Sequence, residues 1–177
     1  MSKKLFFLPT LLLGAMLLFA PSCGETDPCK DLEGKCGNGS CFEGECVCDE
    51  GYEGTNCDAE WSAKFVGSYL GSDKVTASTE GTAIGTYNLT APAVVTRKSG
   101  STISISNFGG FESFVEATIS KANSSDLTAN NVTISFTDPA GRKFAGTATY
   151  STTGISGSYR VTFSDNTYDD ATFDYKK

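Results

Sequence analysis

Six of the seven cysteines of this chain fall between residues 29 and 57, in the stretch CKDLEGKCGNGSCFEGECVCDEGYEGTNC. About thirty residues cannot bury enough apolar surface to fold unaided, so what these thiols bond to decides what the segment becomes. In a reducing compartment they would be metal ligands or redox groups; behind an export signal they are disulfides. The residues in front of them therefore decide the chemistry.

Those residues open with Lys3 and Lys4, run apolar over 5–19, and reach Ala20 and Ser22 just before Cys23. This is the layout of a secretory signal peptide. The apolar run is shorter than the roughly 20 residues a bilayer needs, and Pro9 and Pro21 interrupt or end it, which argues against a retained span. With six cysteines pairing downstream, Cys23 is an odd thiol that needs a separate role. Ala20, Pro21, Ser22 and Cys23 resemble the lipobox of bacterial lipoproteins. That resemblance implies a leader over 1–22, cleavage before Cys23, lipidation of its sulfur, and a tether over 23–28. Several acyl chains anchor firmly, because each buried CH₂ contributes about 0.8 kcal/mol. No Asp follows Cys23 directly, so nothing resembles the inner-membrane retention signal, and an outer-membrane address is expected. Glu25 and Asp27 give an acidic tether similar to those of surface-exposed Gram-negative lipoproteins.

The cysteine spacing is C-x6-C-x4-C-x4-C-x-C-x8-C. Spacing alone leaves about fifteen connectivities open. Cys46, Cys48, Gly51, Tyr52, Gly54 and Cys57 resemble the end of an EGF-like domain, with the glycines expected at positive φ and Tyr52 as the one large apolar body. The resemblance implies the pairs Cys29–Cys41, Cys36–Cys46 and Cys48–Cys57. It also raises calcium binding, but Pro28 stands where an acidic or amide side chain belongs. Between Cys41 and Cys46 there are only Phe42, Glu43, Gly44 and Glu45, so no metal is expected. A zinc site is disfavoured by the export signal and by the absence of histidine.

Charge divides unevenly. Residues 24–59 carry two basic against ten acidic side chains, −8, whereas residues 60–177 carry ten against eleven, −1. No basic patch exists to bind nucleic-acid phosphates, and the acidity disfavours sulfated glycans. Histidine is absent altogether, which removes the commonest general base, metal ligand and nucleophile partner. Catalysis would have to rest on paired carboxylates, Tyr or Lys, with no cofactor implied.

From Trp61 onward, period-two alternation dominates: Ile103 and Ile105; Val115, Ala117 and Ile119; Val132, Ile134 and Phe136; Tyr159, Val161 and Phe163; Ala171, Phe173 and Tyr175. With segments 64–70, 84–89, 93–97 and 143–150 this predicts eight or nine half-buried antiparallel strands over 60–177. Short polar links are expected at 72–74, 98–100, 138–141 and 165–166. The predicted fold is mainly β, an EGF-like module followed by an antiparallel barrel, preferred over a β-sandwich because closure removes the edges. Trp61 followed by Phe65-Val66-Gly67-Ser68-Tyr69 resembles the opening strand of lipocalin-like barrels. The interior is expected to be filled by Phe65, Tyr69, Ile103, Ile105, Phe136, Tyr159, Val161 and Phe173, or else to hold one small hydrophobic ligand.

Phe108-Gly109-Gly110-Phe111 is the irregular stretch, read as a turn covered by rings, with Phe108, Phe111 and Phe114 as candidate binding residues. The nearest carboxylates, Glu112 with Glu116 and Asp169 with Asp170, are expected on the solvated surface rather than as an acid and base pair. The sequence thus points to a non-enzymatic, lipid-anchored surface protein that binds a protein or glycan. A carrier of a small hydrophobic ligand is the alternative, and a carboxylate-based glycan hydrolase the third possibility.

Overall fold

The computed structural model describes residues 27–79, 81 and 84–177. Cys23, its tether up to Thr26 and the proposed leader lie outside the described residues. The chain is mainly β, a closed eight-stranded antiparallel barrel behind a disulfide-rich N-terminal segment.

In that segment a hairpin of β1 (Gly39–Phe42) and β2 (Glu45–Cys48) precedes a two-residue ladder of β3 (Tyr52–Glu53) with β4 (Ala59–Glu60). Disulfides join Cys29 to Cys41, Cys36 to Cys46 and Cys48 to Cys57, the pairing that the EGF-like resemblance implies. Gly51 and Gly54 have φ of +93° and +95°. Each crosslink contributes roughly 2–4 kcal/mol in a segment this poor in apolar core.

A 3₁₀ turn over Trp61–Phe65 leads into the barrel. The wall runs β5 (Gly67–Ser78), β6 (Gly85–Asn88), β7 (Ala93–Arg97), β8 (Thr102–Ser106), β9 (Phe114–Ser120), β10 (Asn131–Thr137), β11 (Lys143–Ser151), β12 (Gly154–Thr162) and β13 (Tyr168–Lys176). From β7 to β13 consecutive strands pair antiparallel, and β13 returns to β5 from Lys176↔Leu70 to Asp169↔Ser78. This last pairing closes the barrel and excludes a sandwich. β6 and β7 both pair with β5, in registers two residues apart (Ser72↔Asn88 against Gly67↔Val95). They form one interrupted strand, broken across residues 89–92, where Pro92 offers no N–H to a ladder.

Two expectations from the sequence change here. Residues 64–66 are not strand: Lys64 and Phe65 belong to the 3₁₀ turn, which leaves Phe65 fully buried at the barrel end. Residues 72–74, read as a polar link, lie in the middle of twelve-residue β5, with Asp73 pointing inward and only 3% exposed.

The disulfide segment packs directly on one end of the barrel. The Trp61 indole N–H donates to the Tyr52 carbonyl at 2.8 Å, and the Trp61 amide donates to the Gly51 carbonyl at 2.9 Å. Glu53 accepts from Lys64 Nζ at 2.9 Å and from the Ala129 amide at 3.1 Å. Gly51 and Gly100 lie back to back: a Cβ on Gly51 would meet Gly100 backbone at 3.0 Å. Since Trp61 is the chain's one tryptophan, it reports on this seam. Disulfide reduction is expected to shift Trp61 emission to the red while the far-ultraviolet dichroism of the barrel persists. Unchanged emission, or loss of the barrel signal, would show that the segment and barrel are not organised in this way.

Candidate functional site

A small barrel has room either for a ligand or for its own side chains. Here the link between β8 and β9 decides the matter. Ser106 ends the wall strand, and Asn107 turns the chain with φ of 55°. The next residue, Phe108, enters the interior and is 0% exposed. Its ring centroid lies 4.7 Å from Tyr159, 5.1 Å from Phe173, 6.0 Å from Tyr175 and 6.2 Å from Phe144. The contacts to Phe173, Tyr175 and Phe144 are edge-on, the arrangement that ring quadrupoles favour. Gly109 follows at φ of 63°, where a Cβ would meet the Tyr159 hydroxyl at 2.5 Å. Only glycine gives both this conformation and this approach.

At the opposite end Phe65 packs on Tyr150 at 4.6 Å, and Tyr69 donates its hydroxyl proton to the Phe65 carbonyl at 2.5 Å. Burial and the neighbouring Tyr150 push the Tyr69 hydroxyl up to about 12. Aromatic side chains therefore plug both ends, and Ile103, Ile105, Val115, Ile119, Val132, Ile134 and Val161 fill the space between. The clefts lined by residues 27–41, by 44–56 with Lys121 and Leu127, by Phe163 to Asp169 and by Ala122 to Asn131 lie outside this interior.

Among the described residues, Asp73 places a carboxylate inside the barrel. Asp73 on β5 accepts from the Tyr159 hydroxyl at 3.0 Å and from the Tyr175 hydroxyl at 2.7 Å. Tyr175 in turn accepts from the Gly109 amide at 2.9 Å. The carboxylate thus ties the closing strand β5 to β12 and β13, and through Tyr175 to the Phe108 plug. Desolvation holds Asp73 above the usual carboxylate range, outweighing the two tyrosine hydrogen bonds, which act the other way. Burial, and then the adjacent Asp73 charge, drive both tyrosine hydroxyls far above their ordinary value.

The sequence did not single out Asp73. Its parity with Tyr69 was the available signal, but reading 72–74 as a turn concealed it. A second buried acid, Asp138, lies in the β10–β11 link. It accepts from Arg142 Nε at 2.7 Å and from Ser113 Oγ at 2.9 Å. Desolvation pushes Asp138 up, but the Arg142 and Ser113 hydrogen bonds outweigh it and hold the carboxyl below its usual range. The same guanidinium lies 4.5 Å from the centre of the Phe111 ring.

The three candidate aromatics have three environments. Phe108 is interior. Phe111 is half-buried between Arg142 and Phe144. Phe114 is exposed on β9 with Phe136 at 5.3 Å. They do not converge on one surface. Of the carboxylates, Glu112 is exposed before β9 begins, and Glu116 is paired to Lys98. Asp170 accepts from Arg160 Nε and Nη2, each at 2.7 Å. None of these forms a pair flanking a cleft. Among the described residues no three acidic or cysteine side chains gather as metal ligands. Comparison with family models, with curated proteins and with solved structures finds no significant match.

Because Phe108 is interior, Phe108→Ala is expected to cost about 3–5 kcal/mol of unfolding free energy, whereas exposed Phe114→Ala is expected to cost less than about 1. Urea denaturation of both variants checks this, and equal losses would contradict it. A second prediction concerns Asp73. An acid with a raised folded-state pKa binds more protons in the native state, so its cost grows as pH rises from about 4 through the raised value. On acidification from pH 7 towards 4, the wild type should therefore gain stability relative to Asp73→Asn, which does not titrate. A difference between the two urea midpoints that stays flat across this range would show that Asp73 is not buried as described.

Proposed function

We propose that this chain is a lipid-anchored extracytoplasmic protein of a Gram-negative outer membrane, exposed at the surface. In it an EGF-like spacer holds a lipocalin-like barrel away from the bilayer, and the barrel is the recognition domain that binds another macromolecule, a protein or a glycan. The order of lipobox-like Cys23, cysteine module and barrel supports the anchoring part. The observation that carries the binding part is the plugged interior. With Phe108 among Phe144, Tyr159, Phe173 and Tyr175, the outside of the molecule is what remains for recognition.

The carrier alternative needs a void that these rings occupy. The hydrolase alternative needs two converging acids, and the candidates are dispersed or already paired. The docking of the module through Trp61, Glu53 and Gly51 supports a stiff presenting arm rather than a loose bead. In the producing cell, Cys23→Ser is expected to release the chain from the membrane fraction and to remove the acyl mass. A Cys23→Ser chain that stays membrane-bound with the same lipid modification would contradict the anchor.

A further inference from the structure

The disulfide segment and the barrel leave a cleft of about 660 Å³ between them. One wall is the run 44–48, which includes β2; the other is the β9–β10 link, through Lys121, Ser124 and Leu127. Two apolar side chains stand open here: Val47 is 53% exposed and Leu127 is 87% exposed. Leu127 lies in a link otherwise made of Ser, Thr, Asn, Asp, Ala and Lys, and nothing in the described chain covers it.

The backbone of β2 is open as well. β2 pairs with β1 alone. Asp49 N donates to Asn38 O, in the same register as the hairpin. Hydrogen-bonded and non-hydrogen-bonded pairs alternate along an antiparallel ladder, so Ser40/Val47 and Phe42/Glu45 are the hydrogen-bonded pairs. Cys46 and Cys48 therefore turn their amides and carbonyls away from β1, on the edge that lines the cleft. An unpaired edge beside exposed apolar side chains is the arrangement that accepts an added strand.

Charge selects the occupant. Within the described part of the module, 27–59, nine acidic residues face two lysines. Glu43, Glu45, Asp49 and Glu50 form no ion pair among the described residues. Lys121 is the one basic residue lining the cleft, and its ammonium lies 5.9 Å from the Trp61 ring centre. The chain's own acidic tether, with Glu25 and Asp27, and a second acidic copy are both repelled from such a surface.

We propose that the cleft between β2 and the β9–β10 link receives an extended basic and apolar segment of a partner protein, added as a third strand beside β2. Its apolar residues cover Val47 and Leu127, and its basic residues meet Glu43, Glu45, Asp49 and Glu50. The proposal rests on the reading of the chain as a surface binding protein, and it names the surface and the kind of partner.

The test uses the purified chain and fluorescently labelled heptapeptides alternating Lys with Val, Lys with Ile and Arg with Leu, followed by fluorescence anisotropy. At least one should bind, more weakly as salt is raised. Its affinity should fall about tenfold on N-methylating the amides of alternate residues, which blocks strand addition. Leu127→Ser, and separately Val47→Ser, should weaken it similarly. Leu127 is solvent-exposed in a link, so its variant tests the site without threatening the fold. Failure of all three peptides to bind, equal affinity for the N-methylated form, or wild-type affinity retained by both variants would overturn the proposal. So would sedimentation showing a dimer that Leu127→Ser dissolves, since the cleft would then belong to a second copy. A chain that remains Cys23-anchored yet binds no peptide contradicts the cleft alone; loss of the anchor contradicts the broader reading.

Discussion

The pairing of β13 with β5 is the constraint on which the rest of this molecule depends. It joins residues roughly a hundred positions apart, so its chain-entropy cost must be recovered by what closure makes possible. Closure pairs β13 with β5, leaving the outer side of short β6 as the unpaired edge among the described strands of the barrel, and creates an interior that must be filled. Asp73 lies on the closing strand, and its carboxylate receives hydroxyls from β12 and β13. A carboxylate buried without a cation is costly by itself; here two tyrosines satisfy it, and one of them also receives the Gly109 amide. The acid thereby couples the seam of the barrel to the plug that fills it.

The two ends of the barrel are finished by different means. At one end the chain supplies Phe108 and Phe111 from the β8–β9 link, with Arg142 laid over Phe111 and anchored by Asp138. At the other the 3₁₀ turn supplies Trp61 and Phe65, and the disulfide segment packs over Trp61. The segment is thus more than an arm attached to a barrel. It completes the barrel end, and the barrel supplies the support that its own small core lacks. The cleft beside β2 exists only because the two are held against each other.

Much of the fold was legible because the physics that specifies it is local. The alternation of Ile103 with Ile105, of Val132 with Ile134, and of Tyr159 with Val161 reports a half-buried strand directly, and all six are buried in the barrel. The Gly pair between Phe108 and Phe111 announced an irregular link under aromatic rings. What could not be read depends on distant partners. Ser72-Asp73-Lys74 looks like a turn unless Tyr159 and Tyr175, some hundred residues away, are known to meet the carboxylate. Phe65 and Val66 are strand-forming side chains, but Phe65 serves better as an end plug than as part of the wall. The open edge of β2 was likewise hidden, because a sequence shows which residues can pair and not which edge is left unpaired.

The central claim is that the barrel is filled by its own side chains, so that recognition takes place on the outside. Native mass spectrometry of the protein purified from its producing cells tests this most directly. The account predicts the mass of the chain with its covalent modifications and nothing further. A small apolar molecule retained at one per chain, and released on unfolding, would contradict it.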